Sequence, residues 1–240
     1  VCNRCSLGGC RGVGPSLLYH AWARDLSGLG SAHGAGPGSR LLHTTEERGR
    51  RVMMWFTADT HFGHSNIIEL THRPFSSVQE MDRRLLANIN DRVSVRDSLY
   101  ILGDFSFRTT VEEAYAIRKK IVCQHVHLIR GNHDKHWIDS PFPDAFESEQ
   151  DYLEIKPGFA KGVRLDLFHY PMLSWNGKWR GAIHLHGHIH TEGSDYNERN
   201  RERGILRYDV GVDANEYCPV SRDDILAFFD GVEPKPAQLA

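Results

Sequence analysis

Short apolar runs and helical stripes alternate from Val52 to about residue 131. Val52 to Phe56 is apolar and stops at Thr57-Ala58-Asp59-Thr60-His61-Phe62-Gly63-His64, so Asp59 and His61 are placed at the C-terminal end of a buried strand. Met81, Leu85, Leu86, Ile89 and Val93 then recur at the spacing of one helix face, and Ser77 with Glu80 predicts a capping box at its start. A second strand, Ser98 to Leu102, runs into Gly103-Asp104. Thr110 and Glu113 open another helix by the same logic, to about Lys120. A third strand ends at Leu128-Ile129-Arg130-Gly131-Asn132-His133-Asp134. Strand, helix, strand, helix, strand predicts parallel pairing through crossover helices.

Beyond about residue 140 the pattern changes to strands without long helices: Tyr152 to Ile155, Val163 to Phe168, Ala182 to Leu185 and Leu206 to Val212. In the second of these, Val163, Leu165 and Leu167 alternate with Arg164, Asp166 and Phe168, which predicts one buried face. It ends at His169-Tyr170-Pro171. His184, His186, His188 and His190 recur at period two, with Gly187 marking a turn; the first two are read as packing. Ser221 and Asp224 start a final helix through Ile225, Leu226 and Phe229.

Composition narrows the class. The chain has 240 residues, 40% hydrophobic and 25% charged, with a formal net charge of -2. That balance suits a soluble domain and gives no nucleic-acid-coating surface. No apolar run approaches the roughly 18 residues a membrane helix needs. Five cysteines, three of them before residue 11, imply a reducing compartment and no disulfide framework. Of the 15 histidines, all but three lie beyond residue 60, among the motifs above.

Residues 1–52 carry no strand or helix period and are rich in glycine, so a disordered extension is expected, with the folded domain at 53–231 and a frayed tail at 232–240. Cys2, Cys5 and Cys10 supply half a zinc ligand set at most. Glu46-Glu47-Arg48-Gly49 can be encoded by a purine-rich, ribosome-binding-like stretch just before Val52-Met53-Met54, and the natural chain is expected to start there.

Each motif alone has a structural reading. Asp-x-His caps a strand, Gly-Asp makes a turn, and a single His169 is a hydrogen-bonded core residue. Asp209 and Asp213, flanking the last strand, are read as caps. Gly-Asn-His-Asp after an apolar strand is the most specific signal. Taken together, Asp59, His61, Asp104, Asn132, His169, His188 and His190 are too many ligands for one zinc ion and suit two first-row divalent ions.

The order Asp-x-His, Gly-Asp, Gly-Asn-His-Asp, His, Gly-His-x-His resembles the calcineurin-like metallophosphoesterase superfamily over about residues 53–213. The resemblance implies an α/β fold, an α/β/β/α sandwich of two packed mixed sheets flanked by helices. It also implies that Asp59, His61 and His190 hold one metal, that Asn132, His169 and His188 hold a second, and that Asp104 bridges both. His133 would be the imidazole that stabilises the transition state or protonates the leaving oxygen, while a bridging hydroxide attacks phosphorus. His64, Asn66, Asp134 and Arg180 are secondary candidates, for second-shell support or substrate contact. The expected cofactors are two divalent ions, from Mn, Fe, Zn, Ni or Co with Mn favoured. The expected substrate is a small phosphoester, mono or di, hydrolysed in the cytoplasm. A nuclease is the first alternative, not favoured because a basic stripe is missing. A non-catalytic metal-bound scaffold is the second, opposed by the full ligand set. Loops 171–182 and 191–205 carry no recognisable binding motif, and their arginines, interleaved with acids, are read as solvated.

Overall fold

The computed structural model describes residues 51–156, 163–191 and 195–234. The expectations for residues 1–50 and for the tail beyond 234 lie outside them. Strands β1 (Met54–Thr57), β2 (Ser98–Ile101), β3 (His125–Ile129) and β4 (Ser148–Gln150) pair in parallel in the order β4-β3-β2-β1. A second sheet carries β5 (Tyr152–Ile155), β6 (Leu165–Phe168), β7 (Ile183–His186) and β8 (Arg207–Asp209) in sequence order; β5 is antiparallel to β6, and β6, β7 and β8 run parallel. Strand β9 (Val220–Ser221) closes the first sheet antiparallel to β1. The helices are α1 (Ile67–Leu70), α2 (Val78–Arg92), α3 (Val111–Arg118), α4 (Tyr196–Glu202) and α5 (Arg222–Phe228). Two mixed sheets packed with helices make this the α/β architecture the motif order implies.

Period-two alternation in β2 builds the layers. Leu99 and Ile101 join Met81, Leu85 and Ile89 of α2 in one core, while Tyr100 and Leu102 join Leu165, Leu167, Ile183 and Leu185 of the second sheet in the other. Burying each such side chain contributes about 1.5–3 kcal/mol. Helix α2 begins where expected, with the Ser77 hydroxyl accepting from the Glu80 amide at 3.3 Å. The Glu80 carboxylate, however, accepts from Ser76 rather than closing a reciprocal box. Helix α3 has the full box: Thr110 Oγ1 accepts from the Glu113 amide and Glu113 Oε2 from the Thr110 amide. No helix among the described residues is long and apolar enough to cross a membrane.

Three elements depart from the sequence expectation. Asp166, predicted on an open face of β6, is fully buried, and the Tyr152 hydroxyl of the neighbouring strand β5 donates to it at 2.6 Å. The polar strand β4 has no hydrophobic alternation, and the backbone of β3 recruits it at the sheet edge. Residues expected to be a solvated loop form α4, whose inner face is amide rather than apolar: Asn197 both donates to the Asp209 carbonyl and accepts from its amide, and Asn200 donates to the Arg207 carbonyl.

His184 is packing, as expected, and its tautomer follows from its partners. Nε2 accepts from the Met172 amide at 3.0 Å, with the Tyr170 carbonyl also 3.1 Å away, and Nδ1 is left to donate to the Asp166 carbonyl at 3.0 Å. Burial pulls its pKa down to about 4. The unfolded chain therefore takes up this proton near pH 6.5, where the folded chain refuses it, so stability is full above about pH 6.5 and is lost as pH falls toward 4. The urea midpoint is expected to drop between pH 7 and pH 5, with less of a drop in His184→Gln; equal drops in both proteins would remove His184 from the account.

Candidate metal centre

All seven predicted ligands sit just beyond the C-terminal ends of parallel strands, His61 two residues after Asp59, and those ends meet at one edge of the sandwich. Asp59 follows β1, Asp104 follows β2, Asn132 follows β3, His169 follows β6 and His188 follows β7, with His190 two residues further on. The two sheets are tied there by the Ala58 and Gly211 bridge, through which the Val212 amide donates to the Ala58 carbonyl at 3.0 Å. The Asp59 and His61 amides donate to the Gly103 and Asp104 carbonyls at 3.0 and 2.9 Å, which stitches the β1 loop to the β2 loop.

Two donor groups result, Asp59 with His61 and His190, and Asp104 with His169 and His188. Asp104 lies between them, its Oδ2 3.6 Å from His61 Nε2 and 3.5 Å from His169 Nε2. Asn132 joins the second group, with Oδ1 3.0 Å from His169 Nε2. Backbone shape accompanies this convergence: Asp59, His61, Asp104, His188 and His190 all have φ between 46° and 75°, in the left-handed region that side-chain-bearing residues avoid. Each such residue costs of order 1–3 kcal/mol and persists only where its surroundings over-determine it. Close approach needs small neighbours as well. A Cβ on Gly187 would come within 2.5 Å of Asp59 Oδ2, and one on Gly103, itself at φ 87°, would run into the His169 ring.

Hydrogen bonds orient the donors and leave their ligating atoms bare. His169 Nδ1 lies 2.8 Å from the Leu102 carbonyl and must donate to it, so Nε2 carries a lone pair. That lone pair faces Asn132 Oδ1, Asp104 Oδ2 and, at 3.2 Å, His188 Nδ1. His190 Nδ1 is held by Asp213 Oδ2 at 2.7 Å, leaving Nε2 free. Both ring nitrogens of buried His61, and Asp59 Oδ1, have no hydrogen-bond partner among the described residues. Acceptors aimed at acceptors in a dry site are costly unless a cation sits among them. The donor set thus fits divalent metal ions.

The titration behaviour agrees. Burial, with Asp209 and Asp104 nearby, pushes the Asp59 carboxyl well up, and burial pushes Asp104 up as well. Burial pulls His61 down to about 2 and His169 to about 4, so both imidazoles are neutral, the form that binds metal. Buried carboxylates crowded with neutral histidines are short of positive charge, which a pair of cations would provide.

His133 is in neither group. Its amide donates to Asp104 Oδ1 at 3.0 Å, while its ring stays one-third exposed, Nε2 4.0 Å from Asp104 Oδ2 and the ring 4.2 Å from that of Phe107. Asp134 accepts from the amides of Asp104, Gly131 and Phe105, and so clamps the β2 and β3 ends together. His64 is buried against Phe107, with its pKa pulled down to about 4 by burial and by Arg108. Asn66 is exposed; its side chain accepts from the Ser65 hydroxyl and its carbonyl from the Leu70 amide. Arg180 is exposed at the end of a short 3-10 turn and belongs to neither donor group.

Sequence reasoning missed Arg73 and read Asp213 as a cap. Arg73 is buried; Nε and Nη2 each donate to Asp213 at 2.8 Å, Nη2 also to the Asp59 carbonyl at 2.8 Å and Nη1 to the Thr60 carbonyl at 3.1 Å. One guanidinium therefore fixes both the Asp59 turn and the carboxylate behind His190. Burial would raise Asp213, but His190 and Arg73 hold it below the usual carboxylate range. Asp209 is not a cap either: it accepts from Thr191 and from the Gly211 amide beside Asp59. A lone arginine in a polar loop leaves no hydropathy signal.

A site of two His/Asp donor groups joined by one carboxylate, at the strand ends of a two-sheet sandwich, defines a class of dinuclear metal protein. Residues 53–214 match the calcineurin-like phosphoesterase family, and the chain belongs to it. An uncharacterized protein of Methanocaldococcus jannaschii is 32% identical over 178 residues, covering 74% of this chain and 91% of that one. The Gene 66 protein of Mycobacterium phage L5 is 28% identical over 201 residues, 71% of this chain and 91% of the phage protein. Among solved structures, a protein of unknown function from Aquifex aeolicus superposes with a TM-score of 0.57 at 27% identity, covering 73% of this chain and 98% of that chain. The family generally hydrolyses phosphoesters and typically binds two divalent metals, for which this chain offers the two groups above.

Proposed function

We propose that this chain is a metal-dependent hydrolase of small phosphoesters. The observation that carries this reading is the set of bare acceptors around Asp104, which has no use in a purely structural turn. Asp59, His61 and His190 would hold one ion and Asn132, His169 and His188 the other, with Asp104 shared. Bound there, two divalent ions supply Lewis acidity, making a water nucleophilic near neutral pH and offsetting charge on the phosphoryl oxygens. The chain's own residues do the rest. Asp134 and Arg73 hold the Asp104 and Asp59 turns in place, so that the donors need little rearrangement on binding. The half-open His133 ring, backed by Phe107, is placed to give a proton to the departing ester oxygen.

The test is hydrolysis of bis-p-nitrophenyl phosphate and p-nitrophenyl phosphate by chelator-treated protein, before and after addition of Mn, Fe, Zn, Ni or Co ions. Turnover is expected only after an ion is added, with Mn the first choice and with two ions bound per chain by elemental analysis. Two bound ions without turnover on either ester would favour the scaffold alternative; no bound ion would remove both readings.

A further inference from the structure

Beside Asn132 the surface opens into a cleft of about 430 Å³, lined by Gly131, Asn132, Arg130, Lys135, Ile138 and Tyr170 among others. One wall of the cleft is thus a predicted metal ligand, and whatever enters is attached to, or adjoins, the phosphoryl group. Functional ligand cavities run from about 300 to 1,000 Å³. The cleft is large enough to hold one nucleoside-sized arm.

Its lining is specific in kind. Tyr170 is 37% exposed and Ile138 52%, an aromatic and a branched aliphatic side chain left open in the same cleft. The Tyr170 ring cannot swing freely, because it packs edge-on against His188 at 4.6 Å and tilted on Phe168 at 5.4 Å. A fixed, half-open aromatic beside a site for phosphate chemistry is a stacking platform. The cations differ in availability. Arg130 is paired with Asp151 at 2.9 Å, whereas Lys135 has no ion pair or hydrogen bond from its side chain to a described residue. Lys135 brings three donors and no acceptor, so it favours an occupant with exposed oxygen or ring-nitrogen acceptors over a plain hydrocarbon ring.

We propose that this cleft seats a nucleobase, and that the substrate is a phosphodiester with one nucleosidyl arm, its base between Tyr170 and Ile138 and its acceptors toward Lys135. This rests on the phosphoesterase reading above. It is not opposed by the chain's near-neutral charge, which speaks only against a surface that coats a polyanion. Hydrolysis adds water across the phosphorus to ester-oxygen bond: the attacking oxygen joins phosphorus, and the departing oxygen leaves with a proton as an alcohol.

Two chromogenic diesters with the same leaving group separate the arm from the chemistry, thymidine 5′-(p-nitrophenyl phosphate) and methyl p-nitrophenyl phosphate. With Mn-loaded full-length protein the thymidine ester is expected to have the higher kcat/KM, by about ten-fold or more for one stacked base. Tyr170→Ala and Ile138→Asp are expected to bring that ratio to about three-fold or less, as any effect on the shared chemistry cancels in the ratio. A second readout needs no turnover: saturation-transfer NMR of thymidine on the metal-free protein, present in wild type and lost in Ile138→Asp, an exposed position that leaves the core intact. Equal kcat/KM for the two esters, or a preference that survives both variants, overturns the proposal. If neither ester is hydrolysed with any ion yet saturation transfer is seen and lost as described, the hydrolytic reading fails and the cleft stands as a nucleoside site. If transfer is absent as well, both fail.

Discussion

His133→Ala is expected to retain two metal ions per chain and to lose about 10²- to 10⁴-fold in kcat on an ester with a poor leaving group. The imidazole is outside both donor groups, so its removal leaves the ligands, and its main-chain bond to Asp104 Oδ1 persists because alanine keeps the amide. Little stability should be lost, since the ring is one-third exposed. The loss should shrink on p-nitrophenyl esters, whose departing oxygen needs no proton, and that contrast separates proton donation from general damage. A variant that lost an ion would make His133 a ligand. A variant as active as wild type on both kinds of ester would leave the ring without a part in the chemistry.

Arg73→Ala is the second large effect, and it acts on the frame of the site. Removing the guanidinium leaves the Asp213 carboxylate buried with only His190 for company and strands the Asp59 and Thr60 carbonyls. Breaking one partner of a buried pair costs about 3–5 kcal/mol, which for a domain of this size lowers Tm by roughly 10 °C. The variant should also bind its first ion about 10- to 100-fold more weakly, because the carboxylate that orients His190 has lost its own anchor. Arg73→Lys should recover little, since an ammonium cannot span Asp213 and two carbonyls at once. A Tm within about 2 °C of wild type, with unchanged metal affinity, would show that the clasp is dispensable.

What the sequence made legible, and what it did not, divides along a physical line. β1, β2 and β3 each announce themselves by apolar runs, and the breaks after them fall at Asp59, Asp104 and Asn132, where structure and motif coincide. The helix starts at Ser77 and Thr110 were equally plain, because capping uses local spacing. Arg73 and Asp213 were opaque: their pairing spans 140 residues, and a buried charge looks no different in sequence from an exposed one. The same holds for α4, where Asn197 and Asn200 fill positions that periodicity reserves for apolar residues. Polar groups that satisfy one another inside a protein have no one-dimensional signature; only the fold reveals that they meet.

The distribution of ligands over two sheets sets an order of assembly. When β1, β2 and β3 have been synthesised, Asp59, His61, Asp104 and Asn132 exist, but His169 follows β6, His188 and His190 follow β7, and Asp213 comes only after β8. Each donor group therefore draws on both sheets, and closing it requires contacts distant along the chain, the kind that form late, such as Asp59 with His190 and Asp104 with His188. During translation the four parallel strands β1 to β4 can pair while the site remains open, and its closure awaits the second sheet.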